Sequence, residues 1–214
     1  MQDGVACPAC GLPRWLNRKL VWTTDGGIYF RARRSERLVF LDEREISALV
    51  EGGVRLRGEQ LLDTLRERRR EFTRAEVSAQ MTPVRRAVLR RRPFARKFVK
   101  LALGEASLLG CGNLEVTSLK PGKEMGLKTR HPYHPQLLAG DIWGFWEGLF
   151  GVEALLSLNP TSQYDWEITV KSVARKKHRD ERETLPRRPQ RDYDLEVCEK
   201  CRLPRFTWEL RWDE

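Results

Sequence analysis

The sequence predicts an α+β protein with an antiparallel sheet, and three observations carry that prediction. Segments of helical and strand period follow one another in the order helices, two strands, helix, two strands. Turn-forming clusters separate them, among them Asp25-Gly26-Gly27, Lys120-Pro121-Gly122-Lys123 and Asn159-Pro160-Thr161-Ser162. The 214 residues are 40% hydrophobic and 33% charged, which suits one main globular core with appendages. No run approaches the roughly 18 consecutive apolar residues that cross a bilayer, and the N-terminus lacks a basic-then-apolar secretory layout. A cytoplasmic location without membrane insertion is therefore expected.

Each element has its own justification. Leu20–Thr23 and Ile28–Ala32 flank Asp25-Gly26-Gly27 as a hairpin, with Arg37–Leu41 a further strand. Asp42-Glu43-Arg44-Glu45 is a capping box ahead of Ile46, Leu49 and Val50, and Gly52-Gly53 is expected to stop that helix after about two turns. A second helix is expected from Glu59 to Arg70, and Thr73-Arg74-Ala75-Glu76 reads as a capping box opening another toward Gln80. Thr82-Pro83 is an N-cap with proline at the first helical position. Pro93 kinks or ends that run, while Phe94, Phe98, Val99, Leu101 and Leu103 carry the apolar pattern to Gly104. Gly112–Leu119 alternates as a strand and Met125–Arg130 returns. His131–Pro135 crosses irregularly into an apolar helix, Leu137 to Phe150, closed by Gly151, before the strands Glu153–Leu158 and Tyr164–Val173.

The two ends mirror each other. Cys7-Pro-Ala-Cys-Gly-Leu-Pro-Arg-Trp15 and Cys198-Glu-Lys-Cys-Arg-Leu-Pro-Arg-Phe206 repeat one Cys-x-x-Cys-x-Leu-Pro-Arg-aromatic unit. A redox Cys-x-x-Cys wants a strand before it and a helix after it, and Cys7 has neither. Two such turns instead supply the four thiolates of a tetrahedral structural Zn²⁺ site, with Zn–S of about 2.3 Å. One zinc per chain on Cys7, Cys10, Cys198 and Cys201 is expected. Loop-closure cost grows only logarithmically with length, so an intrachain site is tolerable even with most of the chain between the pairs, and a site across a dimer is the alternative. Cys111 has no sequence partner and reads as a small buried residue.

The run Gly110-x-Gly112-Asn-Leu-Glu115-Val116, a polar turn, a strand, then Gly140-x-x-x-Gly144-Phe-Trp-Glu-Gly-Leu-Phe-Gly151 and two closing strands with Tyr164 and Trp166 resembles the 4-vinyl reductase domain family. The resemblance covers roughly residues 75–173. It implies a dimerising α/β unit with an internal pocket for a small hydrophobic molecule, the fold of haem-NO sensors and certain vesicle-trafficking subunits. Many domains of the family carry cysteines beside the helix and in the late hairpin, where this chain has His134, Pro135 and Asp165. The expected organisation is a zinc-ribbon-like element from 1–41 and 195–214, a helical connector over 42–74, the 4-vinyl-reductase-like domain over 75–173 and a basic linker over 174–194.

The glycine-spaced helix is the candidate ligand surface. Leu138, Ile142, Phe145 and Leu149 share one face, and Trp143, Trp146 and Phe150 the adjoining one. Trp143, Phe145, Trp146 and Phe150, with Tyr133 and His134 beside the helix start, are the expected ligand-binding residues; packing alone is the competing account of both faces. Gly140, Gly144, Gly148 and Gly151 would let a sheet, a second helix or a ligand approach closely. His131 and His134 lack a nearby Cys, Asp or Glu at metal-ligand spacing. Glu147 reads as a carboxylate at a water-facing rim or paired with arginine. No nucleophile–base constellation or phosphate-cradling glycine loop occurs, so no catalytic residue is assigned.

Residues 66–100 hold thirteen Arg or Lys against three Glu. A solvated helix face is the plain account of this excess. Three functional classes follow from these observations. The first is a zinc-stapled sensor or carrier of a hydrophobic or aromatic ligand, acting as a homodimer. The second is a nucleic-acid-binding module using Arg85, Arg86, Arg90, Arg91, Arg92 and Arg96 with the zinc element. The third is an enzyme or accessory protein acting on a porphyrin-like or aromatic substrate, in which His131, His134 and Glu147 would be sensitive to substitution.

Overall fold

The computed structural model describes residues 43–174 continuously, the strand segments 20–22, 28–30 and 33–38, and residues 8, 199 and 200. The four paired cysteines and residues 175–194 lie outside the described residues. The chain divides into two compact units, one formed by 1–40 with 183–214 and the other by 41–182. In the first, β1 (Leu20–Trp22), β2 (Ile28–Phe30) and β3 (Arg33–Leu38) form an antiparallel meander. Leu20 pairs with Phe30 and Ile28 with Leu38. The hairpin around Asp25-Gly26-Gly27 is thus present, while the third strand starts four residues earlier than its apolar pattern suggested.

The second unit is an α+β fold in the expected order. It comprises α1 (Glu43–Arg57), α2 (Gln60–Gln80), α3 (Pro83–Leu89), α4 (Arg92–Leu108), β4 (Asn113–Lys120), β5 (Glu124–Arg130), α5 (Pro135–Phe150), β6 (Glu153–Pro160) and β7 (Asp165–Ala174). The sheet is antiparallel with order β4-β5-β7-β6. Its inner face is set by register: Met125 lies opposite Val170, Leu127 opposite Ile168 and Thr129 opposite Trp166. Alternation along β4 breaks at Thr117-Ser118, where a bulge keeps both Val116 and Leu119 against the core. The outer face is polar, crossed by Lys128–Glu167 at 3.4 Å and Arg130–Asp165 at 3.0 Å.

Helix α5 is the centre of the core, with Leu138, Ile142, Trp146, Leu149 and Phe150 buried. Its opposite side receives α2 in close backbone contact. A Cβ at Gly140 would lie 2.4 Å from the Arg66 carbonyl oxygen, one at Gly144 2.2 Å from that of Arg70, and one at Gly148 2.8 Å from that of Arg74. The four-residue glycine spacing therefore admits a second helix, whose positions 66, 70 and 74 repeat at the same interval.

The largest differences from the sequence reading are in α1 and α2. Helix α1 runs through Gly52-Gly53 to Arg57 and ends at Gly58, whose φ of +82° is the left-handed conformation glycine adopts freely. Gly53 serves approach instead of termination, since a Cβ there would meet Leu61 Cδ2 at 2.6 Å. Helix α2 is continuous from 60 to 80, because the Thr73 hydroxyl donates to Asp141 Oδ1 at 2.8 Å instead of capping a new helix. The Thr82 cap is formed, its hydroxyl accepting from Arg85 N at 3.3 Å.

Candidate functional site

The crossing from β5 into α5 places the candidate site. His131 adopts a left-handed φ of 50° and donates its N–H to the Tyr164 carbonyl at 3.0 Å, its ring 5.0 Å from that of Tyr164. That turn redirects the chain through buried Pro132 to His134, the N-cap residue of α5. The His134 carbonyl accepts from Leu138 N, but its side chain makes no cap bond.

At this end of α5 lies a cleft of about 380 Å³ lined by α1, the start of α2, the start of α5 and β7. Val50, Val54, Leu62, Pro135 and Trp166 are its apolar walls, while Glu51, Arg55, Glu59, Gln136 and His134 bring polar groups. Most of these are occupied: Arg55 reaches Glu51 at 3.6 Å, and Gln136 Oε1 accepts from Arg66 at 2.6 Å. His134 Nδ1 is buried and has no hydrogen-bond partner. Burial holds the His134 imidazole below its ordinary pKa, against a smaller opposing pull from Glu51, so the ring is neutral near pH 7.

The other expected ligand residues serve the α2–α5–sheet contact. Trp146 and Phe150 are fully buried with ring centroids 4.5 Å apart, and Trp146 Nε1 donates to Ser172 Oγ at 3.0 Å. Trp143 Nε1 donates to the Ala154 carbonyl at 2.9 Å, while the Arg70 guanidinium stands 3.9 Å over its ring. Phe145 is half-buried against the core. Tyr133 donates its hydroxyl to Asp141 Oδ2 at 2.6 Å, and burial first, with Asp141 beside it, raises its pKa far above the phenol range. Among the six expected residues only His134 lines the cleft. Trp166 and the α1 residues carry no motif, and only the aromatic position of Trp166 in the last strand offered a signal.

Glu147 is the most deeply held charge. It is completely buried and takes two hydrogen bonds of 2.9 Å from Arg70 Nε and Nη2 and a third of 2.9 Å from Ala154 N. Arg74 adds a longer contact at 3.7 Å. Burial opposes the charge on Arg70, but the bonds to Glu147 and Glu67 outweigh it and raise its pKa. A second cluster joins Arg69 to Asp141 at 2.7 Å, with Thr73 and Tyr133 on the same carboxylate. Of the thirteen cations in 66–100, those on the inner side of α2 are thus consumed by α5, which corrects the reading of that stretch as one solvated face. Cys111 carries a free, half-buried thiol that desolvation pushes up to about 11. Among the described residues no three His, Cys, Asp or Glu gather as a metal site.

No family model and no curated protein matches the chain. Among solved structures it is similar to the phenol-responsive sensory domain of the transcription activator PoxR, crystallised with phenol. That likeness has a TM-score of 0.55 at 13% sequence identity and covers 73% of this chain and 86% of that one. The chain shares the fold of that sensory domain.

Proposed function

We propose that the 41–182 unit is a small-molecule-binding domain of 4-vinyl reductase type, acting as a sensor or carrier. Its ligand is a compact, mostly apolar or aromatic molecule with one hydrogen-bonding group. The observation that carries this reading is His134 Nδ1, a buried polar atom without a partner, beside a cleft walled by Val50, Val54, Leu62, Pro135 and Trp166. An unpaired buried polar atom is costly, and a ligand hydroxyl would satisfy it while its ring covers Trp166. The cleft volume suits a molecule of one or two rings. The fold shared with a phenol-responsive domain supports the chemical class.

The test is calorimetric titration of the full chain with phenol and alkylphenols, repeated on Trp166→Ala and His134→Ala. Binding that weakens about tenfold or more in each variant supports the cleft. Binding unaffected by both would move the site elsewhere, and no binding of any aromatic hydroxyl compound would sink the ligand class. The same reading gives Cys7, Cys10, Cys198 and Cys201 to one structural Zn²⁺ per chain and makes the protein a homodimer. The chemistry of four thiolates in two repeated turns supports the metal, which has no catalytic part in this scheme.

A further inference from the structure

The cations of the helical region fall into two populations. On α2, Arg66 pairs with Asp63, Arg68 with Glu71, Arg69 with Asp141, and Arg70 with Glu67 and Glu147. Residues 83–104, spanning α3 and most of α4, contain eight Arg or Lys and no Asp or Glu. Three of those eight turn toward helix C-termini: Arg85 donates to the Gln80 carbonyl at 2.8 Å, and Arg86 and Arg90 reach toward those of Gly148 and Phe150. Arg91, Arg92, Arg96, Lys97 and Lys100 are exposed, and no carboxylate among the described residues pairs with them. Arg91 and Arg92 stand at the N-terminus of α4, where the helix dipole disfavours positive charge and no acidic residue offsets it.

Apolar side chains are exposed on the same two helices. Val84 is 73% exposed, Phe94 51% and Leu101 55%. Val84 and Val88 repeat at i, i+4 on α3, and Phe94 and Leu101 at i, i+7 on α4 with Lys97 between them. On α4 the helical period sets Lys97 and Lys100 beside Phe94 and Leu101, whereas Arg92 and Arg96 project from the side nearer buried Val99 and Leu103. Unpaired lysines beside outward apolar residues match an anionic bilayer surface, where ammonium groups meet headgroup phosphates and Phe and Leu enter the acyl boundary. A nucleic-acid backbone would use the cations and leave the aliphatic residues without a role. A second copy of this face, related by a two-fold axis, would set cation against cation.

We propose that the outer face of α3 and α4 docks the protein on anionic lipid membranes. The contact is peripheral, since no helix among the described residues is long and apolar enough to cross a bilayer.

The experiment is co-sedimentation of the full chain with phosphatidylcholine vesicles containing about 30% phosphatidylserine, against pure phosphatidylcholine, at about 50 and about 300 mM salt. Three variants are compared: Lys97→Glu with Lys100→Glu, Phe94→Ser with Leu101→Ser, and Lys128→Glu on the outer sheet face. Binding restricted to the anionic vesicles, weakened about tenfold by salt and by each of the first two variants but not by Lys128→Glu, supports the proposal. Thermal melts comparable with the unmodified chain exclude misfolding, and the single changes Lys97→Glu and Leu101→Ser replace the corresponding double variant if it fails this check. No preference for anionic vesicles, or equal loss with Lys128→Glu, overturns it. Retention of duplex DNA or RNA undiminished in the Phe94→Ser/Leu101→Ser variant, without vesicle binding, would assign the face to nucleic acid instead.

Discussion

His134 sits where its positive form is penalised. An imidazole in the unfolded chain titrates near about 6.5, and burial holds the folded group lower. Above the unfolded value both states are neutral and the native contact is fully available. As pH falls through that value the unfolded chain takes up its proton first, so stability is lost down to the folded pKa and then levels. Glu51, Arg55 and Glu59 share the cleft, and of these Glu51 opposes the shift by attraction. We expect the melting temperature of the full chain to fall more steeply below about pH 6.5 than that of His134→Gln, which does not titrate there. A phenolic ligand that needs the neutral ring should weaken about tenfold per pH unit below the folded pKa. Parallel melting curves for the two proteins would show that His134 is not the responsible group.

At the scale of elements, the contact of α2 with α5 holds the helices to the sheet, and it rests on absent side chains as much as on charges. Glu147 ties Arg70 of α2 to Ala154 of β6, while Gly144 brings the two helix backbones together at the same level. Gly144→Ala would put a methyl group 2.2 Å from the Arg70 carbonyl oxygen, and backbone cannot yield as a flexible side chain can. The expected cost is about 3 kcal/mol or more, read by urea denaturation. Gly52→Ala is the matched control: nothing lies within 4 Å of its Cβ inside α1, and a stabilisation of about 0.5–1 kcal/mol is expected. Equal effects at the two sites would mean that helix propensity outweighs packing. The glycine spacing was legible in the sequence, and so were the strands of the second unit, because alternation and turns are local signals. The partner admitted by the glycines was not, since the sequence left a sheet, a helix or a ligand equally able to fill the gap. The same limit explains Thr73, whose capping pattern is local but whose hydroxyl partner, Asp141, is 68 residues away. It explains the cleft too, whose walls come from four elements and share no motif.

At the scale of the whole molecule, one compact unit is assembled from the two ends of the chain, residues 1–40 and 183–214, which flank the separate 41–182 unit in sequence. A small unit made of two distant segments must offset the entropy of bringing them together, and its described strands β1, β2 and β3 are only 3, 3 and 6 residues long. A Zn²⁺ held by Cys7, Cys10, Cys198 and Cys201 would supply that stabilisation, because metal binding to thiolates of this type is itself folding free energy. Elemental analysis of the full chain, purified without added chelator, should give one zinc per chain, and Cys198→Ser should abolish stoichiometric retention. Chelation should alter the fluorescence of Trp15, Trp22 and Trp208, which belong to the terminal unit, and leave the urea transition of the 41–182 unit near its original midpoint. An intrachain site keeps its metal on dilution to monomer, whereas one built across two chains loses it together with the dimer. Fully reduced cysteines with no bound zinc would remove the metal from this scheme and leave the terminal unit to be held by its sheet and side chains alone.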